Sequence, residues 1–157
     1  MNVWYVNSIL GTFRLEEEND AICGLALCPD GVPELELLPR KVCETPLLQE
    51  AEEQLNEYFA GARREFDLPL APKGTPFQKA VWAEMCRIPY GETRTYGQLA
   101  AAVGKPKASR AVGGACHCNP IAILQPCHRV VGSTGRLTGY AYGVEMKQYL
   151  LELEKQE

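Results

Sequence analysis

The chain has 157 residues, a net charge of −4, 46% apolar residues, seven cysteines and two histidines. That length allows one domain or two small ones with a buried core, and no apolar run approaches a membrane span. Met1-Asn2-Val3-Trp4 has neither the basic start nor the apolar centre of a signal peptide, so the cysteines are expected to be reduced thiols rather than a disulfide framework.

The charge is unevenly placed. Residues 1–70 carry five Lys/Arg against fourteen Asp/Glu, whereas 71–147 carry ten Lys/Arg and only Glu84, Glu92 and Glu145 as acids; the last ten residues are again acidic. A basic segment joined to an acidic one suits a polyanion approached from one side. Scattered surface lysines are the plainer alternative.

Residues 2–10, 11–18 and 21–28 are rich in β-branched and aromatic side chains and are broken at Gly11 and at Asn19-Asp20. They predict three antiparallel strands joined by tight turns, with Glu16-Glu17-Glu18 as a solvated strand end. Residues 29–44, with Asp30-Gly31, Pro33 and Pro39, read as irregular. Thr45 then caps a helix with Pro46 at its first position and Gly61 at its close. Its apolar stripe is Leu47, Leu48, Ala51, Leu55, Tyr58 and Phe59. Residues 62–74, ending in Pro69, Pro72, Lys73 and Gly74, read as a linker. The division is an α/β domain over 1–70, with a small antiparallel three-stranded sheet plus helix, and a mainly α domain over 71–157.

The second half is helical. Thr75-Pro76-Phe77-Gln78 is a capping-box pattern opening a helix with Phe77, Val81, Met85 and Ile88 inward, and Pro89-Tyr90-Gly91 stops it. Thr95-Tyr96-Gly97-Gln98 repeats the box before a short helix bearing Leu99, Ala100 and Val103. After Gly104-Lys105-Pro106 a further helix runs from about Lys107 to Cys116, completing a helix-turn-helix pattern. Lys105, Lys107 and Arg110 cluster at its start. It is built from small residues, Ala108 to Ala115, and its two glycines cost roughly 1 kcal/mol each against alanine. Such a bare face permits close approach of another backbone, whether a neighbouring helix or a nucleic acid. A last helix over about Val144 to Lys155 carries Met146, Leu150 and Leu153 on one side.

The chemistry gathers at Gln125-Pro126-Cys127-His128-Arg129-Val130-Val131. The thiolate is the reactive form of cysteine, and a free thiol with a pKa of about 8.5 is mostly protonated at neutral pH. A neighbouring imidazole is the usual remedy. Neighbours on an extended chain point apart, so His128 is expected to act through a water or a bent backbone. A core cysteine beside a surface histidine is the bland alternative.

Pro126-Cys127-His128-Arg129-Val130, with Asn119-Pro120-Ile121 before it and Gly139-Tyr140 after it, resembles the active-site signature of the O6-alkylguanine-DNA alkyltransferases, or methylated-DNA–protein-cysteine methyltransferases. The resemblance runs from about Gly74 to Glu154. Thr75-Pro76-Phe77-Gln78, Ile88-Pro89-Tyr90-Gly91-Glu92-Thr93 and Arg110-Ala111-Val112-Gly113 follow the family's order, and the first seventy residues match loosely.

The resemblance implies a ribonuclease-H-like first domain and a winged-helix-like second one, and suicide transfer of an alkyl group from O6-methylguanine, and O4-methylthymine, in duplex DNA to Cys127. The base would be flipped out through the minor groove. Catalytic roles fall to Cys127, His128, Glu154, Asn119 and Tyr140. In that scheme Cys127 gives its proton through water to His128, Glu154 holds His128, Asn119 ties the recognition helix to the nucleophile, and Tyr140 donates to the guanine ring. DNA contacts fall to Thr95, Tyr96, Ala108, Arg110, Gly113 and Ser133, with Arg110 filling the gap in the stack. Tyr96, Val130, Tyr140 and Ala141 would line the base pocket. No cofactor and no metal are implied, and the protein is expected to be a cytoplasmic monomer, at the nucleoid or, in a eukaryote, in the nucleus.

The residues fit such chemistry: attack on a methyl carbon gives a thioether that no second step releases, and no phosphate loop or G-x-G-x-x-G is present. Rival readings are a metal-binding regulator using Cys116-His117-Cys118 and Cys127-His128, which lacks paired C-x-x-C knuckles, and a cysteine hydrolase. A third is a non-enzymatic alkylguanine-binding protein of the same fold. Three departures stand out: Gln125 replaces the family's usual aliphatic residue, Tyr142 replaces a frequent glycine in the pocket loop, and Cys116, His117 and Cys118 occupy variable positions to which no role is given.

Overall fold

The structure is a computed structural model and describes residues 1–28, 41–134, 140 and 142–155. Strands β1 (Asn2–Ser8), β2 (Gly11–Glu18) and β3 (Ala21–Cys28) form an antiparallel meander. Asn19 and Asp20 join the last two with φ of 53° and 62°, the type I′ pattern that matches strand twist. The first strand stops at Ser8 rather than running to residue 10, because Ser8 pairs with Gly11 and leaves Ile9-Leu10 as the loop.

Strand β4 (Lys41–Val42) pairs parallel with β1, giving the order β3-β2-β1-β4. This corrects the irregular reading of 29–44 at its end; residues 29–40 lie outside the described ones. Helix α1 (Pro46–Phe59) is capped by Thr45, whose side chain accepts from Leu48 N. It lays Leu48, Ala51, Leu55 and Tyr58 against the sheet residues Val6, Phe13, Leu15 and Leu25, all buried. Leu47 and Phe59 are only half-buried.

Two expectations fail here for identifiable reasons. Glu17 is buried, not solvated: it continues the inward face of Phe13 and Leu15 at every second residue, where it accepts from Asn2 Nδ2 at 2.9 Å. Residues 62–72 belong to the first unit rather than to a free linker. The buried Gln54 amide bonds both the N–H and the C=O of Asp67, and Ile22 pairs with Pro69 and Ala71 through backbone bonds of 2.8 Å. The two compact units are Met1–Pro72 and Lys73–Glu157.

In the second unit, α2 (Pro76–Met85) and α3 (Tyr96–Ala102) each open with the full capping box, Thr75/Gln78 and Thr95/Gln98. Val81, Trp82, Met85 and Ile88 are buried, while Phe77 is half-exposed with the Lys105 ammonium 5.2 Å above its ring. Gly104 at φ +78° ends α3 and turns the chain toward α4 (Ser109–His117), which starts two residues later than the composition suggests. Helices α2, α3 and α4 pack on one another, and Trp82 Nε1 donates to Ala115 O at 2.8 Å in their core. Strands β5 (Arg94–Thr95) and β6 (Val130–Val131) form a short parallel pair. Helix α5 (Val144–Lys155) packs on the 3-10 turn Cys127–Arg129 that precedes β6. Among the described residues, no helix is long and apolar enough to cross a membrane.

Candidate active site

Nine residues separate the end of α4 from Cys127, and Asn119 organises them. Asn119 Nδ2 donates to Gln125 O at 2.8 Å and to Cys127 Sγ at 3.2 Å. Its Oδ1 accepts from Ile121 N at 3.0 Å and Gln125 Nε2 at 2.7 Å. Between these anchors Ile123 is held at φ +68° with its side chain buried. A β-branched residue there is strained by ~1–3 kcal/mol and persists only where its surroundings over-determine it. Pro126 then leads into the 3-10 turn, and Cys127 is buried at 5% exposure.

The tight turn does what an extended chain would not: it sends the adjacent side chains of His128 and Arg129 to one carboxylate. His128 Nε2 lies 2.6 Å from Glu154 Oε2. Arg129 forks onto the same group, Nε to Oε1 at 2.8 Å and Nη2 to Oε2 at 3.0 Å, while its Nη1 donates to Ile88 O at 2.7 Å. Gly91 N adds a 3.4 Å contact to Oε1. All three side chains are buried, so the surface-histidine reading fails.

Burial pushes the Glu154 carboxyl up, but the hydrogen bonds from His128 and Arg129 outweigh it and hold its pKa at about 2. Burial drives His128 below the ordinary histidine value despite the pull of Glu154. The pair is therefore a carboxylate and a neutral imidazole at neutral pH. A carboxylate only accepts, so Nε2 carries the ring proton and Nδ1 keeps a lone pair. That Nδ1 is buried and has no hydrogen-bond partner among the described residues, and the same holds for Tyr140 Oη. Burial likewise pushes the Cys127 thiol up, opposed by the Asn119 N–H and by Lys147. Tyr140, buried beside Cys127 and Tyr142, has its phenol pushed far up and stays protonated.

Cys127, His128, Glu154 and Asn119 are thus brought together, with Tyr140 buried nearby. Val130 follows in β6. Tyr96 sits at the start of α3, in reach of α4: a Cβ on Gly113 would lie 4.0 Å from its ring, and one on Gly114 would meet nothing within 4 Å. Packing against a neighbouring helix therefore does not require Gly114. Arg110 and Ser133 are exposed and Ala108 is half-buried. The Thr95 hydroxyl accepts the Gln98 N–H of its cap. Ala141 lies outside the described residues. Sequence reasoning missed Arg129 as the second partner of Glu154, and it missed Lys147. Lys147 is buried, with its ammonium 5.9 Å from the Tyr96 ring. The signal was available: Lys147, Leu150, Leu151 and Glu154 share one helix face at i, i+3, i+4, i+7. Among the described residues no group of three or more His, Cys, Asp or Glu could hold a metal ion.

Residues 76–156 match the family model of the 6-O-methylguanine DNA methyltransferase DNA-binding domain, and residues 3–72 match that of its ribonuclease-like domain. The chain belongs to the 6-O-methylguanine DNA methyltransferase family. Its relatives in this family include a constitutive methylated-DNA–protein-cysteine methyltransferase of Bacillus subtilis, 51% identical over 149 residues, 93% of this chain and 90% of that one. A Methanosarcina barkeri protein of the same name is 60% identical over 107 residues, 68% of each chain. The methyltransferase fold is also that of a Mycobacterium tuberculosis structure solved in complex with DNA, with a TM-score of 0.89, 41% identity and coverage of 99% and 93%.

Two stability predictions follow from the carboxylate. Arg129→Met should destabilise the protein by about 3–5 kcal/mol in urea unfolding, because it leaves a buried charge short of its counter-ion. Both His128 and Glu154 have folded pKa values below their unfolded ones, so their contribution is present at higher pH and lost on acidification. Stability should fall as pH drops below about 6.5, the unfolded histidine value, and further between about 4.5 and 2 as Glu154 protonates. Glu154→Gln should abolish the second fall, read by urea midpoints across pH.

Proposed function

We propose that this protein repairs duplex DNA by moving the alkyl group of O6-alkylguanine onto Cys127 in a single turnover. DNA repair by alkyl transfer to a cysteine is the activity of its family, and a relative has been solved in complex with DNA. The observation that carries the assignment to Cys127 is its setting: a buried sulfur held by Asn119, next to a neutral imidazole oriented by Glu154 and Arg129.

In the proposed reaction the thiol proton passes, by way of a solvent molecule, toward His128 Nδ1. The resulting imidazolium would be stabilised by the Glu154 carboxylate. The thiolate attacks the alkyl carbon, the S–C bond forms as the C–O6 bond breaks, and the pair of electrons stays on the guanine. Tyr140 Oη, protonated and without a hydrogen-bond partner among the described residues, donates to the departing ring, which finally takes up the proton from the thiol. The thioether carries no leaving group that water displaces readily, so Cys127 is consumed. A methyl on O4 of thymine presents the same electrophile.

Reaching O6 requires the base to leave the stack at a cost of a few kcal/mol. Helix α4 suits the minor groove: Ala111 and Gly114 are exposed, its N-terminus has no side-chain cap, and Arg110 projects beside them with Lys105 and Lys107 close in sequence. We assign Arg110 to the vacated place in the stack. Tyr96 and Thr95 belong to the flanking phosphate, Ala108, Gly113 and Ser133 to the groove, and Val130 to the pocket wall. One chain carries the whole set, so a monomer suffices.

Incubation with methylated duplex should add one methylene to the protein mass, located at Cys127, and Cys127→Ser should bind without gaining mass. Unchanged mass in the wild type with retained binding would move the assignment to a non-enzymatic lesion binder. Tyr142, edge-on to Tyr140 at 5.8 Å, narrows the site for bulky groups. Tyr142→Gly should raise benzyl over methyl transfer, and an unaltered ratio of single-turnover rates would refute this.

A further inference from the structure

A primary carboxamide has two N–H groups and two favoured lone-pair directions. In Asn119 all four are engaged, one of them by the reacting sulfur. The shortest of the four contacts, 2.7 Å, comes from the side chain of Gln125. That side chain is buried at 3% exposure. An aliphatic residue would fill such a place without the ~1–3 kcal/mol that an unbonded buried amide costs, so its amide calls for a reason.

The network fixes which atom is which. The Ile121 N–H points at Oδ1, so the oxygen of Asn119 faces the loop and its nitrogen faces Gln125 O and the sulfur. Gln125 must then turn its own nitrogen to Oδ1, since its oxygen would face another oxygen. A donor on the carbonyl end of an amide draws charge through it and strengthens the N–H at the other end. Here that N–H points at Cys127. A hydrogen bond to the charged form of an acid favours ionisation. The same bond braces residues 119–125, where Ile123 sits at φ +68°.

We propose that Gln125 is a positioning residue for Cys127: its side chain locks and polarises Asn119, so that Nδ2–H stays aimed at the sulfur as negative charge develops there. This rests on Cys127 as the alkyl acceptor. Gln125 acts through Asn119 and needs no contact with the DNA.

The test uses Gln125→Met, which follows the glutamine outline without the donor, and Gln125→Leu. Ionisation of Cys127 is followed by NMR of the full-length protein carrying isotopically labelled cysteine, its Cβ signal assigned with Cys127→Ser. The other titratable groups acting on this sulfur or its neighbours, Lys147 on α5, Cys116 on α4, Tyr140 and His128, are the same in every variant. Both substitutions should raise the Cys127 midpoint by about half to one pH unit and slow single-turnover methyl transfer at neutral pH by roughly threefold to tenfold. In an Asn119→Ser background they should move neither quantity, the signature of action through that residue. A merely space-filling Gln125 would change the unfolding midpoint and leave the thiol titration where it is, which overturns the proposal, as would equal effects in both backgrounds. A wild type that takes no methyl refutes the reading of Cys127 itself; a methylated wild type with unmoved variant titrations sinks only this inference.

Discussion

The site hangs on the Glu154 carboxylate. It sits in the interior near the end of the described chain and accepts from His128 and, twice, from Arg129. A lone buried carboxylate would protonate rather than stay charged. The forked guanidinium keeps it ionised, and an ionised Glu154 fixes the tautomer of His128. In the proposed chemistry the proton-accepting nitrogen therefore depends on an arginine whose hydrogen bonds go to Glu154 and Ile88 O.

The same contacts tie the architecture together. Arg129 also holds Ile88 O at the end of the α2 segment, and Gly91 N and Tyr90 Oη reach α5 through Glu154 and Leu153. Helix α5, the 3-10 turn and the 88–91 turn are thus braced through one residue cluster. Stability and chemistry are coupled here, since any change that frees Glu154 loosens α5 and leaves His128 without its orienting partner.

What the sequence disclosed follows the range of the physics. Asn19-Asp20, Thr45-Pro46 and the two Thr-x-x-Gln boxes act over four residues or fewer, and each formed where composition placed it. Cys127, His128, Asn119 and Glu154 were legible only through the family motif; spacing alone favoured a core cysteine beside a surface histidine. The misses are non-local or depend on a bend. Strand β4 is two residues whose parallel partner lies some forty positions away, and Glu17, on the same face as Phe13 and Leu15, is satisfied there by Asn2, fifteen positions away. Arg129 was overlooked because neighbours on an extended strand diverge, whereas a 3-10 turn sends both 128 and 129 the same way. Lys147 was lost among the apolar residues of its helix, although a lysine and a glutamate seven apart on that face announce a buried charged pair of sites.

The distribution of charge around the sulfur has its own logic. Glu154 and Arg129 balance each other's charge beside His128, the Lys147 ammonium acts on the sulfur without a hydrogen bond to it, and the side chain bonded to the sulfur is a neutral amide. Burial keeps Cys127 mostly a thiol at rest, and the thiolate is the form that oxidants and stray electrophiles attack. A cationic neighbour as close as Asn119 would hold a standing thiolate and expose it to such losses. In the proposed chemistry each molecule reacts once, so sulfur lost to a side reaction cannot be recovered by turnover. A sulfur that ionises only when a base takes its proton and an amide receives its charge is the arrangement that single use favours. Gln125 sharpens it without adding any charge to the pocket.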